Sequence, residues 1–194
     1  MKKILFAASE AVPFMKTGGL ADVTGSLPKY FDKKNYDVRV ILPKYVCMEE
    51  RWKGQLHFLC HFYVNLSWRK QYVGIFETTY DGITYYLVDN EFYFAGNAPY
   101  NNIYEDVEKF AFFSKAVLEA LPYLDFCPDI IHCHDWQTGL VPVYLHDSFQ
   151  QNEFFRGIKT VMTIHNLKFQ GVWDVKTVKD ITGLSDYYFA PDKL

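Results

Sequence analysis

The chain lacks most of the short signatures that announce a chemistry. Its four cysteines, Cys47, Cys60, Cys127 and Cys133, form no CxxC pair and no zinc-finger spacing, which excludes the common structural-zinc and dithiol motifs. Each lies in an apolar stretch, so reduced, buried thiols in a cytoplasmic protein are expected. There is no basic excess. Lys plus Arg number 20 against 23 Asp plus Glu, a net charge of −3, which argues against a nucleic-acid or anionic-membrane partner. Long apolar runs are missing too. The first, Ile4-Leu5-Phe6-Ala7-Ala8, is broken at once by Ser9 and Glu10, too early for a secretory core or a membrane span. No GxGxxG or Walker A pattern follows that run, so neither a nicotinamide site nor a P-loop is expected. A nucleophile elbow, internal repeats, low-complexity tracts and linkers are likewise absent from the sequence.

What remains is a soluble globule. Hydrophobic residues make up 49% and charged residues 22%, enough apolar content to fold, and 194 residues suffice for one sizeable domain or most of one. Residues 3–9 read as a buried parallel strand, continuous and without alternation. A helix follows from Leu20, with Pro28 predicting a kink, and Asp37 to Leu42 reads as a second strand, giving a strand–helix–strand crossover. The middle is different. Leu56–Leu66, Gln71–Thr79 and Ile83–Val88 are β-rich, and Tyr80-Asp81-Gly82 signals a hairpin. A polar loop over 96–102 leads into a helix carried by Val107, Phe110, Ala111, Val117 and Leu121 and ended by Pro122. The α/β rhythm then returns: a strand over 128–134, a helix to about Leu145 capped by Asp135, a buried strand from Ile158 to His165, and a short helix over 174–182. The expected class is α/β, a Rossmann-like parallel sheet with flanking helices and a β-hairpin insertion. The run 190–194 ends with no terminating helix, which suggests an incomplete domain.

Polar residues gather at three strand ends: 16–22, 132–137 and 165–171. In a parallel sheet such ends converge on one edge, where ligands bind. Lys16 followed by Gly18 and Gly19 suits a phosphate, by point charge and by close backbone approach; a solvated lysine on a plain glycine turn is the alternative. His132 and His134 fall on one face of a strand, as a metal pair requires, but no third ligand has fitting spacing, so no metal site is expected. Asp135 beside Trp136 is either a helix cap or a sugar-binding pair, carboxylate for hydroxyls and indole for the apolar face. His165-Asn166 is either a polyol contact or a histidine satisfied in the core.

Taken together, the clusters resemble one family. Ser9-Glu10, Pro13, Lys16-Thr17-Gly18-Gly19-Leu20-Ala21-Asp22-Val23, Ser26-Leu27-Pro28, Arg39-Val40-Ile41-Leu42-Pro43, Pro99-Tyr100, His132-Cys133-His134-Asp135-Trp136, Gly139-Leu140 and Thr163-Ile164-His165-Asn166-Leu167 with Gln170-Gly171 occur in that order across the whole chain. They resemble the bacterial glycogen synthases and plant starch synthases, glucosyltransferases that use ADP-glucose. The resemblance implies a two-domain GT-B enzyme. Residues 1–194 would be its amino-terminal Rossmann-like domain, incomplete, with the carboxyl-terminal nucleotide-binding domain absent.

The resemblance also implies roles. His165 matches the family's cleft histidine beside the transferring glucose, the catalytic position. Lys16, Gly18 and Gly19 match the donor site. Asp22, Asp135, Asn166 and Tyr100 match positions near sugar hydroxyls or acceptor, with Glu10 in the same region. Gln137 departs from the histidine common in relatives. The reaction implied is transfer of glucose from ADP-glucose to the non-reducing end of an α-1,4-glucan with retention, needing no metal or cofactor. This chain alone is expected to be inactive. The alternatives are a non-catalytic glucan- or nucleotide-binding module and a metal-dependent hydrolase using His132, His134 and Asp135.

Overall fold

The apolar runs of the sequence become the middle of one sheet. A computed structural model describes residues 1–190, at 103 and 104 the backbone only, so the reading of 191–194 lies outside the described residues. In chain order the elements are β1 (Lys2–Ala7), α1 (Gly19–Ser26), β2 (Tyr36–Pro43), α2 (Glu50–Lys53), β3 (His57–Leu66), β4 (Arg69–Tyr80), β5 (Ile83–Asp89), α3 (Ile103–Ala120), β6 (Ile130–His134), α4 (Leu140–Tyr144), β7 (Lys159–Thr163) and α5 (Val175–Thr182). The seven strands lie in the order β3-β4-β5-β2-β1-β6-β7. From β5 to β7 all neighbours are parallel. β3 and β4 are added antiparallel at the other end. This is the expected Rossmann-like sheet with its hairpin excursion.

Alternation along the strands divides the core. Leu5, Ala7, Ile41, Ile131 and Cys133 face the layer built around α3. Ile4, Phe6, Val38, Val40 and Leu42 face the opposite layer, which holds Ala11 and Phe14. The Asp81-Gly82 turn has φ of 52° and 71°, the left-handed pair that a two-residue hairpin between right-twisted strands requires. The expected break at Pro28 is also there. α1 ends at Ser26, and a 3₁₀ turn over Leu27–Tyr30 takes over with Pro28 near its start, because proline lacks the N–H an α-helix needs.

Three expectations are corrected. β7 is not buried: Val161 is 45% and Met162 42% exposed, because it is the last strand of the sheet, with β6 on one side and no strand paired on the other among the described residues. Asp135 does not cap a helix through its side chain; its carboxylate is engaged elsewhere, and the segment after it winds through a 3₁₀ turn, α4 and a π turn. Of the four thiols only Cys133 is buried; Cys47 and Cys60 are half-buried and Cys127 is exposed. No described helix is long and apolar enough to cross a membrane.

The segment after β1 folds back on α1. Val12 N–H donates to the Ala21 carbonyl at 3.1 Å, and the Thr24 hydroxyl donates to the Glu10 carbonyl at 2.6 Å. Gly25 permits this approach: a Cβ there would meet Val12 Cγ2 and the Val12 carbonyl oxygen at 2.4 Å each. Backbone atoms cannot yield as a flexible side-chain tip can. Gly25→Ala is therefore expected to lower stability by about 2–3 kcal/mol, read as a lower urea midpoint. An unchanged midpoint would show that the loop does not lie this close to the helix.

Candidate functional site

The strand order reverses at β1. From it the chain moves to β2 on one side, while β6 joins on the other, and the crevice beyond the carboxyl ends of such a pair is where open α/β sheets bind ligands. A cleft of about 1060 Å³ opens there. Its walls come from the segment after β1 (Glu10, Thr17, Gly18, Gly19), the loop after β5 (Tyr100, Asn101, Asn102), the end of β6 (Asp135, Trp136, Gln137) and the segment after β7 (His165, Asn166, Lys168 to Trp173). The three clusters read from the sequence thus meet. From the loop after β5 the resemblance had placed Tyr100 at the site; its neighbours Asn101 and Asn102, Trp173 and the pairing of His134 were not read from the sequence.

Two carboxylates shape the walls. Glu10 is 3% exposed. It accepts from the Thr17 backbone N–H, from the Thr17 hydroxyl at 2.8 Å and from the Tyr100 hydroxyl at 2.6 Å. Ser9 Oγ lies 2.8 Å from the same phenol. Burial, and the neighbouring Glu10 charge after it, hold the Tyr100 phenol well above the usual range, so it stays a donor. Asp135 sits at φ 58°, ψ 177°, a region that residues with a Cβ rarely occupy and that is maintained only by its surroundings. Its N–H donates to the Thr163 carbonyl at 2.9 Å. Its carboxylate accepts from the His165 N–H at 2.6 Å and, more weakly, from the Asn166 N–H at 3.4 Å. Glu10 and Asp135 are thus engaged in holding the walls.

Other residues stand freer. Lys16 and Asp22 pair at 2.7 Å, each side chain about half exposed at 53% and 54%, and neither lines the cleft itself. Such an exposed pair contributes little to stability, so an anion can compete for the lysine. Gly18 is extended, with φ of −151°, and a Cβ at Gly18 or Gly19 would meet no atom within 4 Å. Nothing inside the described protein requires glycine at either position. Trp136 lies edge-on to Phe110 and tilted against Trp173, with ring centroids 5.2 and 5.1 Å apart. It is half-buried and serves both as packing and as lining.

Two of the histidines form a stack. His132 and His134 lie 4.2 Å apart, ring on ring, beside Phe6. His132 Nε2 is 2.7 Å from Thr163 Oγ1, and His134 Nδ1 is 2.9 Å from His165 Nε2. With Asp135 bound to backbone N–H groups, the three residues of the hydrolase reading point to separate partners. Burial lowers the His132 pKa, helped by His165. Burial, then the adjacent His132 and His165, push that of His134 down to about 3.

Comparison with known proteins decides the family. A family model described as the starch synthase catalytic domain matches residues 3–194. The chain belongs to that family. Glycogen synthase of Lachnoclostridium phytofermentans is 73% identical over all 194 residues, and that of Lachnospira eligens 66%; in each case the chain spans 41% of the relative's length. Among solved structures, the catalytic domain of starch synthase IV from Arabidopsis thaliana, bound to ADP and acarbose, matches with a TM-score of 0.87 at 28% identity, covering 100% of this chain and 39% of that one.

The His134 shift has a measurable consequence. In the unfolded chain the imidazole titrates near 6.5, so on acidification the unfolded state takes up the proton first. Stability is complete above about pH 6.5 and is lost as the pH falls toward about 3. At pH 5 this residue alone is expected to remove about 2 kcal/mol. Urea titrations at pH 7 and pH 5, with NMR of the ring protons, check this. A His134 signal titrating with a midpoint near 6 would overturn it.

Proposed function

We propose that the protein to which this chain belongs transfers glucose from ADP-glucose to the non-reducing end of an α-1,4-glucan, with retention, in the manner of a two-domain GT-B enzyme. Residues 1–194 would form the amino-terminal domain and one wall of the active site. The remainder, corresponding to the part of the relatives this chain does not span, would contribute the other wall and most nucleotide contacts. The observation that carries this reading is the convergence of family-matching segments from four strand ends on one cleft. The ADP and acarbose in the starch synthase IV structure support a nucleotide sugar and a glucan as its ligands. The reading places the protein in the cytoplasm and calls for no resident metal or cofactor.

The chemistry follows from the groups that remain available. As the glucosyl–phosphate bond lengthens, negative charge grows on the departing diphosphate. Lys16 Nζ, drawn from Asp22, and the Gly18 and Gly19 amides would meet that charge as preorganised donors. His165 and Asn166, with their backbones held by Asp135, would face the sugar. Tyr100 and Glu10 would fix the opposite wall, with Asp22 and Asp135 near hydroxyls or acceptor. Closure of the other domain would exclude water, favouring transfer to a glucan hydroxyl over hydrolysis.

Incorporation of labelled glucose from ADP-glucose into a glucan primer tests the reading. The full-length protein is expected to catalyse it, and the 194-residue chain alone is expected not to. Turnover by the short chain, or none by the full-length protein with any nucleotide-glucose, would overturn the corresponding part. Binding without turnover by the full-length protein would favour a non-catalytic module.

Two substitutions separate ligand contact from folding. Gly19→Ala opens the helix with a better former and touches nothing, so stability is expected to hold or rise by about 0.4–1 kcal/mol. Donor use should nevertheless fall about tenfold, because the added methyl meets the ligand. Lys16→Ala should leave the urea midpoint nearly unchanged while weakening donor use about 10- to 100-fold. Unchanged kinetics for both would remove Lys16 and the glycines from the donor site.

A further inference from the structure

We propose that His134 is a positioning residue that fixes His165 in its Nδ1–H tautomer, so that this ring offers the cleft a hydrogen-bond donor. The two rings face each other through His134 Nδ1 and His165 Nε2 at 2.9 Å. Only one of these nitrogens can carry the shared proton. His134 is 0% exposed, and its other nitrogen, Nε2, is buried with no partner among the described residues. If His165 donated, His134 would be left with a buried N–H bonded to nothing. If His134 donates from Nδ1, what stays buried is a bare ring nitrogen. Orphaned N–H groups are the rarer and costlier of the two in protein interiors. The proton therefore sits on His134 Nδ1, and Nε2 of a neutral His165 accepts it. The proton of His165 must then be on Nδ1, the nitrogen His134 does not touch. An accessory group that fixes a histidine tautomer through its second nitrogen is a general device.

The surroundings fit this assignment. A donor locked in place must itself stay neutral, and burial keeps His134 unprotonated through the working pH range. Its ring is clamped by stacking on His132, 4.2 Å away, and by the edge-to-edge, nearly coplanar contact with His165, whose ring centroid is 5.2 Å away at an interplanar angle of 15°. Its successor Asp135 holds the His165 backbone N–H at 2.6 Å. Consecutive residues at the end of β6 thus fix both the ring and the main chain of His165, which lines the cleft. The tautomer stands on geometry alone. Its use, donation of the Nδ1 proton to an oxygen of the bound sugar rather than removal of a proton from it, rests on the glucosyl-transfer reading.

Long-range ¹H–¹⁵N correlation NMR on the ¹⁵N-labelled chain reads the tautomer directly at pH 8, above the ordinary imidazole range. His165 is expected as Nδ1–H in the wild type. His134→Phe keeps an aromatic ring but removes the donor; the half-exposed His165 ring can then bond water through either nitrogen, and the Nε2–H form that a free imidazole favours should appear. His134→Asn returns an amide N–H near the Nδ1 position and should restore the Nδ1–H form. In the full-length protein, His134→Phe should lower kcat about 10- to 100-fold with donor KM within about twofold, the loss expected of one hydrogen bond made in the transition state, and His134→Asn should recover part of it. A wild-type His165 in the Nε2–H form, or an unchanged tautomer in His134→Phe, overturns the proposal whatever the kinetics. The expected tautomers together with no glucosyl transfer by the wild-type full-length protein would leave the positioning role intact and overturn only the proposed reaction.

Discussion

The site depends on one topological constraint, the parallel pairing of β1 on both of its edges. Because β2 and β6 both run alongside β1, the segments that leave β1 and β6 emerge at the same edge of the sheet and diverge. A loop cannot cross the gap between them without leaving backbone groups unpaired, so a crevice is built into the strand order. The hairpin excursion preserves that geometry. β3 and β4 are antiparallel, yet β5 returns to pair parallel with β2, and the loop after β5 reaches the same edge. The chain can therefore insert a long β-ribbon at the far end of the sheet while its site keeps four walls.

A crevice of loops needs internal ties to hold a shape, and buried carboxylates provide them. Glu10 collects donors from Thr17 and Tyr100, joining the segment after β1 to the loop after β5. Asp135 collects the N–H of His165 and joins β6 to the segment after β7. Each sits in the mouth of the sheet, where an isolated ionised carboxylate would be costly without hydrogen bonds. Lys109 and Asp106 add a third tie. That pair is buried in α3 at 2.7 Å, and the ammonium also donates to the Pro99 carbonyl at 2.9 Å, just before Tyr100. Truncating one partner of such a pair strands the other charge, so these residues affect the site through its frame.

Much of this was legible in the sequence, for identifiable reasons. The apolar run of β1 is continuous because both faces are covered, and that pattern is hard to mistake; β2 and β6 carry the same kind of run, interrupted by Arg39 in one and by His132 and His134 in the other. The hairpin was legible because Asp81-Gly82 is chemically suited to positive φ. What was not legible depended on partners distant along the chain. Asp135 looks like a helix cap because local pattern favours an acid before a helix; its actual partners lie about thirty residues away, at 165 and 166. β7 has the composition of a covered strand, but exposure is set by what packs against it and not by its own residues. The pairing of His134 with His165 leaves no local trace, since neither spacing nor composition records which ring faces which.

The electrostatics of the cleft assign its two ends. Three carboxylates, Glu10, Asp106 and Asp135, line it, against one lysine, Lys168. A diphosphate placed among the carboxylates would be repelled, and their engagement with hydrogen-bond donors moderates the field without neutralising it. At the glycine turn the balance changes. Gly18 and Gly19 open α1, whose first amides point outward and whose dipole favours an anion, and Lys16 sits beside them on an exposed, easily exchanged pair with Asp22. Asp22 opposes this, being an acid in the same first turn, so the attraction becomes strong only when a better anion takes Lys16. Under the proposed reading, a nucleotide sugar entering the cleft is therefore polarised along it, with phosphates at the amides and Lys16 and the neutral glucose among His165, Asn166 and the carboxylates. An acid-rich pocket suits a sugar, whose hydroxyls can donate to it and whose ring gains positive character as the bond to phosphate breaks. The same arrangement would explain why the two glycines face open space: the volume a Cβ would fill is the volume the diphosphate needs.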